Sequence, residues 1–222
     1  MPGLPRRVDA VVFDMDGILF DTESLYEKAA LAAATELGHE MTTEFFRSTI
    51  GSPWTVIRGQ LLDFYGPTFD PDALRTTAMR LFDEWVKTQL TLKPGVLELL
   101  DLLDELRLPR AIATTSAQST VQRHLTAHDL TRRFHHVVAH DDCFRHKPAP
   151  DPFLLAAERL GVEPAYCLAL EDSHHGVQSA TAAGMMTIMV PDLLPPSDEI
   201  RALCTHVLEN LHQVRPLFVT GR

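Results

Sequence analysis

The chain is poor in cysteine and in long apolar runs, and each shortage excludes a class of protein. Its three cysteines in 222 residues, Cys143, Cys167 and Cys204, are widely spaced and odd in number. This usage argues against a disulfide framework and for a reducing compartment. No run of about 18 apolar residues occurs, so we expect no membrane span. The first residues lead straight into a strand-like segment without a cleavage signal, and we expect a cytoplasmic location.

Basic charge is also scarce. The 20 Lys and Arg residues stand against 30 Asp and Glu residues, which gives a formal net charge of −10. Nucleic acids and anionic membrane surfaces are bound by clustered Lys and Arg, so we expect neither as a partner. With 45% hydrophobic residues, the composition is that of a globular protein with one large domain or two small ones. Nothing in the sequence requires more than a monomer.

Short apolar runs alternate with helical patterns along most of the chain. The runs predict strands at 8–13, 110–114, 136–139, 166–170 and 185–190. Apolar residues at helical spacing predict helices at 96–106, 119–128, 151–160 and 176–183. This alternation predicts an α/β fold with a Rossmann-like parallel sheet between two layers of helices.

One long segment interrupts this alternation. Residues 20–92 form a connection of roughly 70 residues, whereas strand-to-helix connections usually take about 2–6. Their apolar spacing predicts helices at 25–37, 53–65 and 71–90. We therefore predict a core domain made of 1–19 and 93–222, with a helical domain inserted at 20–92.

Polar side chains follow three of the predicted strands. Asp14 and Asp16 follow the first strand, the second ends in Thr114 with Thr115 and Ser116 after it, and Glu171 and Asp172 follow the fourth; Lys147 precedes a predicted helix. In open α/β sheets, ligands gather at the carboxyl ends of the strands, so we expect these groups to converge. Several carboxylates in one place need a cation, and oxygen ligands favour Mg²⁺.

Such a site is suited to phosphoryl transfer. Lys147 and Mg²⁺ can neutralise the oxygens of a phosphoryl group while Thr114 donates a hydrogen bond to it. Asp14 can then attack phosphorus and form an aspartyl-phosphate. Asp16 can protonate the leaving oxygen and later deprotonate water.

The motifs resemble those of the haloacid dehalogenase superfamily phosphotransferases. The segment from Asp14 to Glu23, DMDGILFDTE, resembles the first signature; Thr114 matches the second motif, Lys147 with Pro148 the third, and Glu171-Asp172-Ser173 with Gly176 the fourth. The resemblance covers nearly the whole chain. The insert at 20–92 resembles the helical cap of a subgroup that contains beta-phosphoglucomutase and many small-metabolite phosphatases.

The resemblance implies a role for each matching residue. Asp14 is the expected nucleophile and Asp16 the expected general acid and base. The expected metal ligands are Asp14, the backbone carbonyl of Asp16, and Asp172. Glu171 has two open interpretations, as a further metal ligand or as a buried partner of Lys147.

The expected phosphate-binding residues are Thr114, Thr115, Ser116 and Lys147. Thr114 and Lys147 are also counted as catalytic, because they would stabilise the charge of the transferring group. Metal-free dehalogenation is disfavoured, since the family's dehalogenases lack the second aspartate that Asp16 represents here.

We expect hydrolysis of a small phosphomonoester, a sugar phosphate or similar metabolite, with phosphomutase activity as the alternative. Tyr26 stands where the beta-phosphoglucomutase motif carries a histidine, and after Gly51 no basic residue occurs before Arg58 to hold a second phosphate. A phospho-acceptor signalling domain would have no place for the insert. A non-catalytic binding module would have lost one of the carboxylates.

Histidines in the second half of the chain raise a zinc alternative. The clustered positions are His135, His136, His140, His146, His174 and His175. None shows the i, i+4 spacing with a carboxylate that is typical of zinc helices, so surface or supporting roles are favoured. The roles of His146 and of Trp54, which follows a Gly-Ser-Pro turn, stay open.

Overall fold

A six-stranded parallel sheet forms the centre of the structure. The computed structural model describes residues 3–218. The strands are β1 (Ala10–Phe13), β2 (Arg110–Ala113), β3 (His136–Val138), β4 (Cys167–Glu171), β5 (Met186–Met189) and β6 (His206–Val207), in the order β3-β2-β1-β4-β5-β6. Helices flank the sheet, so the predicted α/β fold is confirmed.

Nine α-helices occur in the described residues. They are α1 (Thr22–Glu36), α2 (Thr43–Thr49), α3 (Trp54–Tyr65), α4 (Pro71–Gln89), α5 (Val96–Glu105), α6 (Gln118–Ala127), α7 (Asp151–Leu160), α8 (His174–Ala182) and α9 (Asp198–Leu203). None of the helices in this part of the chain is long and apolar enough to cross a membrane.

The strands are short and buried because both faces of the sheet are covered. Every residue of β1, β2, β4 and β5 is buried, as expected of a parallel sheet with helices on both sides. Phe153 of α7 packs among small side chains of the sheet, including Ala111 and Ala169. These alanines leave room for the aromatic ring, so the helix can lie close to the strands.

Two compact units make up the described chain. One, the sheet unit, contains the residues up to Phe20 and those from Leu92 onward; the other, the helical unit, is Asp21–Thr91. The chain leaves and re-enters the sheet unit at neighbouring points, because Phe20 and Leu92 form an antiparallel bridge. In the helical unit, α1 packs along α4, and α1 carries several buried alanines, including Ala29 and Ala33. The assignment of the two units as core and cap stays a prediction.

Strand β6 and helix α2 leave no clear pattern in the sequence. Strand β6 has only two half-buried residues, so no apolar run marks it. Helix α2 has seven residues and buries only Phe46 and Thr49. Its start carries a local signal nevertheless, because the Thr42 hydroxyl accepts a hydrogen bond from the Phe45 N–H at 3.1 Å.

A pair of leucines on α5 tests how far the stability depends on burial. Leu99 is fully buried, whereas Leu97 is 45% exposed. We expect Leu99→Ala to lower the free energy of unfolding by about 2–5 kcal/mol, because it removes buried methyl groups and leaves a cavity. Leu97→Ala on the same helix should change it by less than about 1 kcal/mol. Urea unfolding of both variants measures the difference, and equal losses would contradict the packing described above.

Candidate functional site

Several side chains of the predicted site lie together at the carboxyl edge of the sheet. The N–H of Asp14, just after β1, donates to the Leu170 carbonyl at 2.9 Å, and the N–H of Thr114, just after β2, donates to the Val138 carbonyl at 2.9 Å. The ladder thus continues one residue beyond each strand. The ends of β1, β2 and β4 are aligned at one edge, as expected of neighbouring parallel strands.

Lys147 joins two of these carboxylates. Its Nζ donates to Asp14 Oδ1 and to Glu171 Oε1, each at 2.5 Å. The exposed fraction of the side chain is 6% for Lys147, 10% for Asp14 and 0% for Glu171. Burial alone lowers the pKa of Lys147, but the two carboxylates outweigh it and hold that pKa above its ordinary value. Lys147 therefore stays positively charged.

Glu171 is bound through both of its carboxylate oxygens. While Oε1 accepts from Lys147, Oε2 accepts from the backbone N–H groups of Asp172 at 3.1 Å and Ser173 at 3.2 Å, and from the Ser173 hydroxyl at 3.1 Å. These contacts favour the interpretation of Glu171 as a partner of Lys147 that orders the loop after β4. Its direct ligation of a metal stays a prediction.

A group of three carboxylates offers a place for a cation. The three residues are Asp14, Glu171 and Asp172, and one carboxylate oxygen of each lies within 4.8 Å of one carboxylate oxygen of each of the others. Burial raises the pKa of Asp14 to about 7; Lys147 opposes the rise, and the Glu171 and Asp16 carboxylates add to it. A divalent cation would favour the ionised form of Asp14. The all-oxygen donor set and this need for positive charge fit Mg²⁺.

Asp16 and Ser116 meet beside this group. The Asp16 carboxylate accepts a hydrogen bond at Oδ2 from the Ser116 hydroxyl at 2.7 Å. The Ser116 N–H donates to Thr114 Oγ1 at 3.1 Å, so the hydroxyl hydrogen of Thr114 remains for another acceptor. Thr115 is exposed. The roles assigned to these four residues stay predictions.

A further ion pair lies next to the carboxylate group and was missed in the sequence. Lys93 Nζ donates to Asp192 Oδ1 at 2.8 Å, and the Asp192 side chain is only 7% exposed. A Cβ atom at Gly17 would lie 2.3 Å from an Asp172 oxygen and 3.3 Å from an Asp192 oxygen. Asp192 follows β5 at the same edge of the sheet, and that position was the signal that could have revealed it.

Gly176 is required by the position of Glu171. A Cβ atom at Gly176 would lie about 2 Å from the Glu171 carboxylate. The Gly176 N–H also donates to the Ser173 hydroxyl at 3.0 Å, which caps the start of α8. The glycine of the fourth motif therefore leaves space for the buried carboxylate.

Two residues with open roles have clear contacts. The ring of His146 stacks on that of His140, with centroids 3.9 Å apart and an angle of 11° between the planes. In the helical unit, Trp54 donates from Nε1 to Asp72 Oδ1 at 3.2 Å, and the Arg75 guanidinium lies 4.9 Å from its ring centroid.

Comparison with known proteins identifies relatives of this chain. The family model described as haloacid dehalogenase-like hydrolase matches residues 11–190. The chain is 36% identical over 188 residues to the fructose-1-phosphate phosphatase YqaB of Escherichia coli K12, covering 83% of this chain and 97% of that protein. It is 34% identical over 184 residues to the phosphorylated carbohydrates phosphatase of Thermotoga maritima, covering 82% and 84%.

Two further matches are a much longer protein and a solved structure. The chain is 35% identical over 192 residues to Protein SUPPRESSOR OF QUENCHING 1, chloroplastic, of Arabidopsis thaliana; the match spans 85% of this chain but only 18% of that protein. Among solved structures, a Thermotoga maritima protein provisionally named a beta-phosphoglucomutase is 27% identical with a TM-score of 0.81, covering 97% of this chain and 100% of that chain.

Substitution of Gly176 tests the packing around Glu171. We expect Gly176→Ala to lower the free energy of unfolding by about 1–3 kcal/mol, because the new methyl group must displace a buried carboxylate. Gly59→Ala is the matched control, since Gly59 lies in α3 and a Cβ atom there would meet nothing within 4 Å. The control should be neutral or stabilising by up to about 1 kcal/mol. Urea unfolding compares the two, and a harmless Gly176→Ala would contradict the assigned contact.

Proposed function

Because the chain belongs to the haloacid dehalogenase-like hydrolases, we propose that it is a magnesium-dependent phosphatase that releases inorganic phosphate from a small phosphomonoester. The buried contact of Lys147 with Asp14 carries this proposal. A carboxylate beside a fixed cation, at the carboxyl edge of a parallel sheet, can receive the phosphoryl group of an anionic ester.

The first step transfers the phosphoryl group to Asp14. A carboxylate oxygen of Asp14 attacks phosphorus in line with the ester oxygen; the new O–P bond forms as the ester P–O bond breaks. Lys147 and the Thr114 hydroxyl stabilise the phosphoryl oxygens. Asp16, which enters the step protonated, gives its proton to the departing oxygen, so the alcohol leaves neutral.

The second step regenerates the enzyme. Asp16, now a carboxylate, takes a proton from water as the water oxygen attacks phosphorus of the aspartyl-phosphate. The bond between phosphorus and the Asp14 oxygen breaks, inorganic phosphate leaves, and the Asp14 carboxylate is restored. Asp16 ends the cycle protonated, as it began.

The cofactor proposed for this site is Mg²⁺. The ion would be held by Asp14, Asp172 and the backbone carbonyl of Asp16, with Glu171 in support. When bound, Mg²⁺ neutralises charge on the phosphoryl oxygens. The group of carboxylates at the edge of the sheet and the raised pKa of Asp14 support this choice.

The proposed substrate is a sugar phosphate or a similar small phosphorylated metabolite. The names of two relatives, a fructose-1-phosphate phosphatase and a phosphorylated carbohydrates phosphatase, support this class. Both relatives match most of this chain, and the segments that carry the four motifs lie within the residues matched by the family model.

Phosphomutase activity is the alternative, supported by the structural match to the provisionally named beta-phosphoglucomutase. Tyr26 argues against it. Burial raises the pKa of the Tyr26 hydroxyl above its ordinary value, and its ring packs against Phe46 and Phe82 at centroid distances of 6.1 and 5.7 Å. A half-buried tyrosine that stays protonated is a poor substitute for the proton-transferring histidine of the mutase motif.

The nucleophile is tested by Asp14→Asn. We expect this variant to lose roughly 10³-fold or more of the rate of phosphate release, because an amide cannot form the acyl-phosphate. The matched control is Asp63→Asn, at an exposed position of α3, which should keep full activity. Phosphate release from a good substrate measures both, and substantial turnover by folded Asp14→Asn would exclude Asp14 as the nucleophile.

A panel of phosphomonoesters separates phosphatase from mutase. We expect Mg²⁺-dependent release of phosphate from one or a few small esters, with activity lost on chelation and restored by added Mg²⁺. Hexose 1- and 6-phosphates belong in the panel, with and without a bis-phosphate primer. Interconversion of the two hexose phosphates without phosphate release would overturn the assignment in favour of the mutase.

A further inference from the structure

Ser116 makes a contact that its assignment as a phosphate-binding residue does not explain. Its hydroxyl donates to Asp16 Oδ2 at 2.7 Å, and the two residues are 100 positions apart in the chain. The bond therefore connects the segment after β2 with the segment after β1. A serine hydroxyl has one hydrogen to donate, so while it donates to Asp16 it cannot donate to a phosphoryl oxygen.

The backbone of Ser116 is fixed on two sides. Its N–H donates to the Thr114 hydroxyl at 3.1 Å, and its carbonyl accepts from the His140 N–H at 2.9 Å. Ser116 is also half-buried. The hydroxyl is thus held by the ends of β2 and β3, which are rigid elements of the sheet unit.

The backbone of Asp16 is equally constrained. The Gly17 N–H donates to the Phe20 carbonyl at 2.9 Å, and the Phe20 N–H donates to the Met15 carbonyl at 3.1 Å, so the turn after β1 is closed. The remaining freedom of Asp16 lies in its side-chain torsions, and the bond from Ser116 fixes them. Oδ2 is then engaged, and Oδ1 is the oxygen left for proton transfer.

We propose that Ser116 is a positioning residue that holds the Asp16 carboxylate in the orientation needed for proton transfer. The inference rests on the proposed function, because it assumes that Asp16 is the general acid and base. Fixing a catalytic group in a productive geometry removes an entropic cost from each step. Thr114, whose hydroxyl hydrogen is not used by Ser116, remains the phosphate donor of this segment.

This role predicts a selective defect in Ser116→Ala. Protonation of the leaving oxygen matters for an alkyl phosphate but hardly for p-nitrophenyl phosphate, whose leaving group departs as a stable anion. General acid catalysis contributes about 10²–10⁴-fold, and we expect kcat/KM for the alkyl ester to fall about 10–100-fold, a part of that contribution. For p-nitrophenyl phosphate kcat/KM should fall less than about threefold, since the same proton transfer contributes little there.

Three companion variants make the test specific. Ser116→Thr keeps the hydroxyl and should restore most of the lost kcat/KM. Ser119→Ala, at an exposed serine of α6, should behave as the wild type. When Ser116→Ala is added to Asp16→Asn, kcat/KM should fall no further, because the two residues act as one unit.

The inhibition constant of inorganic phosphate should stay within about twofold of the wild type in Ser116→Ala, because Thr114 and Lys147 still hold the phosphate.

Other outcomes would overturn the inference. If Ser116→Ala weakens phosphate inhibition and slows both esters equally, Ser116 is a phosphate ligand. If its effect adds fully to that of Asp16→Asn, Ser116 acts elsewhere. Should Ser116→Ala fail to fold, Ser116→Cys retains the size with a weaker donor, and it must show the same selective defect for the inference to hold. A wild-type enzyme that released no phosphate would reject the proposed function itself, before any variant of Ser116 was compared.

Discussion

The contact of Lys147 with both Asp14 and Glu171 is the interaction on which the rest of the site depends. Two buried carboxylates near each other repel strongly, and neither would ionise readily without a positive partner. Lys147 supplies that partner from the segment before α7, while Asp14 and Glu171 come from the adjacent strands β1 and β4. One ammonium group thus connects three segments that are far apart in the chain, and removing it would leave two uncompensated buried charges.

The residues around this contact leave space for the carboxylates or donate hydrogen bonds to them. Gly176 leaves space for the Glu171 carboxylate, and Gly17 leaves space for Asp172. Ser173 binds Glu171 and caps α8 with the same hydroxyl. The adjacent acids of the fourth motif therefore have different surroundings: Glu171 is fully enclosed by hydrogen bonds, whereas Asp172 lies over Gly17 beside Asp192. This contrast fits a structural task for the first acid and a metal-binding task for the second.

Much of the fold was predictable because burial leaves a strong pattern. The five longer strands consist mostly of apolar residues, and the polar residues at the ends of β1, β2 and β4 stand out against them. Strand β6 and helix α2 are too short to produce such a pattern. Their formation depends on neighbouring elements, which a single sequence does not describe.

The candidate site was predictable in its residue types but not in its contacts. The order of Asp14, Thr114, Lys147 and Asp172 follows from the motifs, whereas the hydrogen bond from Ser116 to Asp16 depends on side-chain torsions. The pairing of Lys93 with Asp192 likewise joins residues 99 positions apart. No local pattern records such a pairing, because it arises only when the segment before α5 and the loop after β5 are brought together.

A single-turnover experiment on a small phosphomonoester tests the central claim most directly. The reaction is quenched on the millisecond scale with borohydride, which reduces an aspartyl-phosphate to homoserine, and the peptides are then sequenced. Our account predicts homoserine at position 14 that appears before free phosphate and disappears as phosphate is released. Phosphate release with no modification at Asp14, or modification at another residue, would contradict it.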